Sequence, residues 1–231
     1  MFRESINGLD ELLQDDIPRN SVILVSGAEG TLKSSLVSNI ISNYLIGNNE
    51  HGLYITLDED KESLLRNMVS VGIKKIDRLH IFDYKDIRLE WRFQEPEMIE
   101  VTNDAIDFYR EKYDKLTVFA FDSLNALYSL SNQANLRRNI YHFFTMLKDK
   151  ELTSFLIMEA GLSEGLVYAN DYPGCSEYFL ADGIIEVGIV EARENVKRYI
   201  QVRKMRATRH TMNKHQLIVD EEGLAILGSV Y

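Results

Sequence analysis

The residues best suited to chemistry form the run Gly27-Ala28-Glu29-Gly30-Thr31-Leu32-Lys33-Ser34, with Ser35 behind it. Between a strand and a helix, such a loop turns backbone N–H groups and a helix N-terminus toward an anion. Lys33 would then lie over β- and γ-phosphates, and Ser34 would offer its hydroxyl to Mg²⁺. Two residues depart from the pattern G-x-x-x-x-G-K-[ST]. Leu32 stands where glycine is required and brings a side chain next to backbone meant to touch phosphate, and Glu29 adds a negative charge. The alternative is a former phosphate loop that no longer binds tightly.

Carboxylates follow at two strand ends. Asp58-Glu59-Asp60 closes the run Leu53-Tyr54-Ile55-Thr56-Leu57. A carboxylate there can orient and polarise a water that attacks a phosphoanhydride. The same residues could instead cap the next helix, the better reading for Asp60; for Asp58 and Glu59 both stay open. The apolar run Val118-Phe119-Ala120-Phe121 ends in Asp122, as in a Walker B strand whose carboxylate holds Mg²⁺ through water. Finally, Lys204 and Arg206 are two residues apart in a strand pattern, so both side chains can reach one anion; a solvated strand face is the alternative.

These residues need a frame to bring them together. Short apolar runs at 21–26, 53–57, 79–83, 117–121 and 153–158 read as strands. Helical patterns at 33–46, 61–70, 97–112 and 136–149 lie between them. That alternation predicts an α/β fold, a mainly parallel sheet flanked by helices. Residues 183–190, 196–206 and 216–219 read as consecutive strands added antiparallel to one edge.

Composition narrows the options. A chain of 231 residues, 45% hydrophobic and 27% charged, fits one globular domain over 1–231 and excludes a disordered or fibrous protein. No apolar run reaches the roughly 18 residues of a membrane span and no secretory signal follows Met1, so a cytoplasmic protein is expected. The single cysteine, Cys175, rules out an internal disulfide, and His51, His80, His142, His210 and His215 show no metal-ligand spacing. The formal charge of -10 argues against nucleic acid and anionic membranes, but it is unevenly spread. Residues 1–192 carry 18 Lys+Arg against 32 Asp+Glu, whereas 193–215 carry eight basic residues against Glu194 alone.

Over essentially its full length the chain resembles the KaiC-like branch of RecA-type ATPases. Gly8-Leu9-Asp10-Glu11-Leu12-Leu13 followed by Ile17-Pro18-Arg19 is similar to the family's opening motif. Leu53 to Glu59 resembles its second strand with paired acids, Phe121-Asp122-Ser123-Leu124 its Walker B, Ala181-Asp182-Gly183-Ile184-Ile185 a late strand, and Lys204-Met205-Arg206-x-Thr208-x-His210 its K-[ML]-R-x-[TS]-x-H signature. The resemblance implies a RecA-like P-loop core that assembles as a homo-oligomeric ring, commonly a hexamer, with ATP and Mg²⁺ at each subunit boundary. Gly27 to Ser35 would cradle phosphate, Ser34 and Asp122 would hold the metal, and Glu59 with Asp58 would activate water. Lys204 and Arg206 would reach into a neighbour's site. The expected activity is slow, Mg²⁺-dependent hydrolysis with a regulatory or signalling role, and a further protein partner is left open.

Departures sharpen the alternatives. Asp15-Asp16 replaces the family's Gly-Gly, and Tyr178-Phe179 stands where the clock-type Ser-Thr phosphoacceptor pair would align, which predicts no such autophosphorylation. One competing reading is a non-catalytic regulatory or scaffold protein with a degenerate phosphate loop. Another is a recombinase-like DNA-binding ATPase that uses the basic ribbon, disfavoured by the overall charge.

Overall fold

In a computed structural model of the chain, residues 1–83, 97–130, 135–159, 177–192, 195–221 and 223–230 are described. Cys175, Arg193 and Glu194 lie outside them.

The centre of the fold is the strand Val22–Gly27 (β1), buried at every position because helices cover both sheet faces. Around it run His51–Thr56 (β2), Leu79–Asp83 (β3), Leu116–Asp122 (β4), Thr153–Glu159 (β5), Gly183–Ala192 (β6), Asn195–Met205 (β7), His215–Asp220 (β8) and Gly223–Ser229 (β9). They form one sheet in the order β3-β2-β4-β5-β1-β6-β7-β8-β9. The first six strands are parallel, and β7, β8 and β9 are added antiparallel beside β6.

Alternation along β1 shows how the sheet separates two cores. Ile23 and Val25 enter a cluster with Leu36, Ile40 and Ile41, whereas Val22 and Leu24 join Phe121, Phe143 and Phe144 on the opposite face. The helices are Leu9–Leu12 (α1), Lys33–Gly47 (α2), Lys61–Ser70 (α3), Met98–Lys112 (α4), Leu124–Leu130 (α5), Leu136–Asp149 (α6) and Glu177–Leu180 (α7). In α6 the buried residues Ile140, Phe143, Phe144 and Leu147 recur at three- and four-residue spacing, so a single stripe packs on the sheet. Each such side chain contributes about 1.5–3 kcal/mol on burial. Helix α2 is buried on more sides and includes Lys33.

The expected strands and helices are present with shifted ends. β9 and the short helices α1, α5 and α7 are additions. β9 begins at Gly223, whose φ of +121° suits glycine. At the far edge, Asn7 bridges to Ala225 and Leu13 to His210, so the N-terminal segment closes over the last strands. Gly8 makes this possible: a Cβ there would lie 2.0 Å from the Ile226 carbonyl oxygen.

The family's Gly-Gly is replaced for a local reason. Asp15 accepts two hydrogen bonds from the Arg209 guanidinium, at 3.0 Å each, which hold its carboxyl down at about 2. Asp16 accepts from the Arg3 N–H and, through its carbonyl, from Thr208 Oγ1. The Asp15 carboxylate thus fastens the start of the chain to the basic ribbon, and that of Asp16 ties the segment back to Arg3.

Candidate functional site

Parallel strands end on the same side of a sheet, and loops there gather residues from distant parts of the sequence. Here β1 ends at Gly27, β4 at Asp122, β2 just before Leu57-Asp58-Glu59, and β5 at Glu159. Register confirms the meeting: Gly27 is level with Glu159, and Thr56 with Asp122.

The loop Gly27–Leu32 delivers Lys33 and Ser34 into the first turn of α2. Close packing explains Gly27, since a Cβ would sit 2.0 Å from the Val187 carbonyl oxygen. Gly30 has φ +75°. Thr31 Oγ1 donates to the Ala28 carbonyl at 2.7 Å, and Arg198 Nε, from β7, donates to the Gly30 carbonyl at 3.1 Å. Leu32 adopts the left-handed conformation expected of glycine, φ 72° and ψ 28°. Its side chain packs against the core, so the cost of the substitution falls on the backbone, on the order of 1–2 kcal/mol.

Lys33 is only 7% exposed. Its ammonium donates to the Ala28 carbonyl at 3.0 Å and lies 4.0 Å from Glu159. Burial pushes its pKa down, while Glu159, Asp122, Glu29 and Asp58 pull it up. One buried cation is thus ringed by carboxylates from four segments.

Asp122 is buried and its carboxyl is raised to about 6, chiefly by burial and further by the charges of Asp58 and Glu59. Hydroxyl donors from Ser34 and Tyr54 oppose that rise, the Tyr54 bond measuring 2.8 Å. The expected metal pair is therefore in direct contact. A divalent cation fits here, because the charges of Asp58 and Glu59 reach a buried carboxyl that has a hydroxyl ligand alongside. Among the described residues no group of three His, Cys, Asp or Glu could hold a metal, so Ser34 and Asp122 would leave positions for water or phosphate.

The acids after β2 divide their duties. Asp60 caps α3, its Oδ1 accepting from the Ser63 N–H at 2.8 Å. Glu59 accepts a hydrogen bond from the Asn67 side-chain amide through Oε2 at 2.8 Å and does not cap the helix. Asp58 contributes charge to both Lys33 and Asp122.

Lys204 and Arg206 are elsewhere. β7 runs antiparallel, so its last residue, Met205, pairs with Gly183 at the beginning of β6. Lys204 Nζ donates to the carbonyls of Ala181 at 2.6 Å and Tyr178 at 3.0 Å; Arg206 donates to Asp182 Oδ1 at 2.9 Å and to the Phe179 carbonyl at 3.3 Å. Asp182 also accepts from Lys148 at 2.9 Å and, through Oδ2, from the Val22 N–H at 3.1 Å. Val22 begins β1 and Gly27 ends it. The pair is thus about 15–20 Å, one strand length, from its own phosphate loop.

The basic ribbon is extensively partnered. Arg203 pairs with Glu186 at 2.5 Å, Arg206 with Asp182 and Arg209 with Asp15, and Lys214 lies 3.9 Å from the Tyr199 ring centroid. Residue types alone did not single out Tyr54, Asn67, Glu159, Asp182 or Arg198. Glu159 carried a usable signal, a charged residue ending an apolar strand just as Asp122 does.

A family model described as "ATPase: KaiC" matches residues 2–231. Similar proteins include a UPF0273 protein of Aeropyrum pernix, 26% identical over 97% of this chain and 92% of that protein. Another is a UPF0273 protein of Thermotoga maritima, 27% identical over 98% and 96%. Circadian clock oscillator protein KaiC 1 of Synechocystis is 24% identical over 97% of this chain but 44% of its own length, so the chain spans less than half of that relative. The crystal structure of a KaiC-like protein from Pyrococcus horikoshii superposes with a TM-score of 0.78, covering 97% of both chains at 24% identity, a likeness of fold.

Proposed function

The chain belongs to the KaiC family of ATPases, and on that footing we propose that it is a single ATPase domain that binds Mg²⁺-ATP and hydrolyses it slowly at boundaries between copies of itself. The observation that carries this reading is the convergence of Lys33, Ser34, Asp58, Glu59 and Asp122 at one end of the sheet. The N–H groups at the start of α2 would bind phosphate oxygens, with Lys33 leaving Glu159 and the Ala28 carbonyl for the β- and γ-phosphates. Mg²⁺, held by Ser34 and Asp122, would supply charge neutralisation across the phosphates. Glu59, held by Asn67, would take a proton from the attacking water as it forms its bond to the γ-phosphorus, and ADP would leave. Lys204 and Arg206 would complete the site of the adjacent copy, and nucleotide state would set the contacts between copies.

Calorimetric titration with ATP and Mg²⁺ tests the reading. Saturable binding in the micromolar range that depends on Mg²⁺ is expected; no binding at millimolar nucleotide overturns it.

The left-handed Leu32, together with Glu29, favours a second reading, a RecA-fold regulatory or scaffold protein without productive nucleotide use. Leu32→Gly discriminates between the two. Glycine relieves the backbone and gives up the Leu32 packing. Nucleotide affinity that rises more than tenfold would identify a degenerate loop, whereas unchanged affinity would mean that the present loop already works.

A further inference from the structure

At the β3 edge of the sheet, remote in sequence from the phosphate loop, a cavity of about 280 Å³ opens between α3 and α4. Its floor is apolar and continuous with the core through the buried Met68 and Leu79. Three lysines line it from three separate segments: Lys61 starts α3, Lys75 follows α3, and Lys112 ends α4. Asp77 is the acid among the lining residues. Long lysine stems can cover apolar surface while their heads stay in water. That habit does not account for three lysines lining one cavity in a region, 1–192, where acids outnumber bases 32 to 18, two of them, Lys61 and Lys112, close enough to act on His80.

One wall is aromatic. The rings of His80 and Tyr113 stack with centroids 3.8 Å apart and planes 16° from parallel, and Tyr109 lies 5.4 Å from His80. Behind them His51 Nδ1 is 3.0 Å from His80 Nε2, so one ring donates to the other and both are fixed in orientation. Lys112 Nζ lies 5.3 Å from the Tyr113 centroid and 5.8 Å from that of Phe108, placing a cation beside the wall. Rings stacked on each other are held rigid and leave their edges and outer faces for a planar group, and flanking lysines offer charge-assisted bonds to an anion.

We propose that this cavity is a second ligand site, built for a small aromatic phosphate ester of mononucleotide size. The ring would lie against the edges and outer faces of the His80–Tyr113 wall and the phosphate beside Lys61 and Lys112. The site is independent of the phosphate loop and of whether that loop hydrolyses ATP.

The site carries its own reporter. Burial, then His51, Lys112 and Lys61, holds the His80 imidazole down at about 4, so the ring is neutral at neutral pH. His80 is faced by His51 from β2, Lys61 from α3, and Tyr109, Lys112 and Tyr113 from α4 and its end, and Lys75 and Asp77 line the same cavity from the connection before β3. An anion seated among the lysines offsets the cations that depress His80, and its pKa rises toward 6.5.

The experiment follows the His80 ring protons by NMR in the full chain titrated with AMP, with inorganic phosphate, and with AMP on the Lys33→Ala variant. Saturable shifts with AMP, a raised His80 pKa and an unchanged response in Lys33→Ala are expected. The double variant Lys61→Gln, Lys112→Gln should weaken AMP by about tenfold or more while ATP binding at the phosphate loop is unchanged. Absence of saturable shifts at millimolar AMP overturns the site. So does a response lost in Lys33→Ala, which would place the binding at the phosphate loop. Inorganic phosphate binding as tightly as AMP overturns the aromatic part.

Discussion

At the scale of single residues, Asp122 shows how a binding site is maintained at the expense of stability. Its carboxyl is buried beside Asp58 and Glu59 and raised from 3.8 to about 6. A group so raised favours the fold fully while it is neutral in both states, below about pH 4. That contribution is lost as pH rises through 6 and the buried carboxyl must ionise. Asparagine keeps an acceptor for the Tyr54 hydroxyl and never ionises. Asp122→Asn is therefore expected to stabilise the nucleotide-free protein by on the order of 1–3 kcal/mol at pH 8, with the difference closing below pH 4. Thermal unfolding across pH 4–8 in the absence of Mg²⁺ checks this. A variant less stable than the parent at pH 8 would show that Asp122 is held by its hydrogen bonds and not opposed by its surroundings.

Among secondary-structure elements, the sheet was legible because buried parallel strands write themselves as short apolar runs. Val118 to Phe121 and Ser154 to Met158 could hardly be anything else once helical patterns flanked them. β9 was missed because Gly223-Leu224-Ala225-Ile226 is too short to distinguish a strand from a buried turn without its partner. The phosphate loop and the acids after β2 and β4 were legible as types at strand ends, and the parallel sheet brings them to one side. Sequence could not show that Leu32 turns its side chain into the core and accepts a left-handed backbone. Nor could it show that Asp15 and Asp16, departures from the family pattern, are anchors for Arg209, Thr208 and Arg3. Both depend on partners distant in sequence. The basic ribbon was the most ambiguous feature, and its resolution is likewise tertiary: Arg203, Arg206 and Arg209 each face a carboxylate, which removes much of the free charge that a DNA-binding reading needs.

For the whole molecule, the direction of β7 decides what Lys204 and Arg206 can do. Because the strand runs antiparallel, the pair emerges beside Asp182 and Val22, at the opposite end of β1 from Lys33. Within one copy it cannot serve its own phosphate loop, so any contribution to hydrolysis must pass from one copy to the next, as in a head-to-tail ring. Asp182 links the pair to the strand that carries the loop, since one carboxylate holds Arg206, Lys148 and the first N–H of that strand. Complementation tests the arrangement. On the proposed reading, Glu59→Gln would lack the water-activating acid but keep the pair, whereas Arg206→Ala would keep the acid but fail to complete its neighbour. Each alone should lose most ATP turnover, the arginine loss approaching the roughly 10³-fold expected of a finger supplied in trans. Dissociated and reassembled together in equal amounts, they should regain about a quarter of parental turnover, because that share of head-to-tail boundaries pairs an intact acid with an intact arginine. Phosphate release measured on the mixture reads this directly. Recovery no greater than the sum of the separate variants would mean that the pair does not complete a neighbour's site, and full turnover by Arg206→Ala alone would confine Arg206 to holding Asp182.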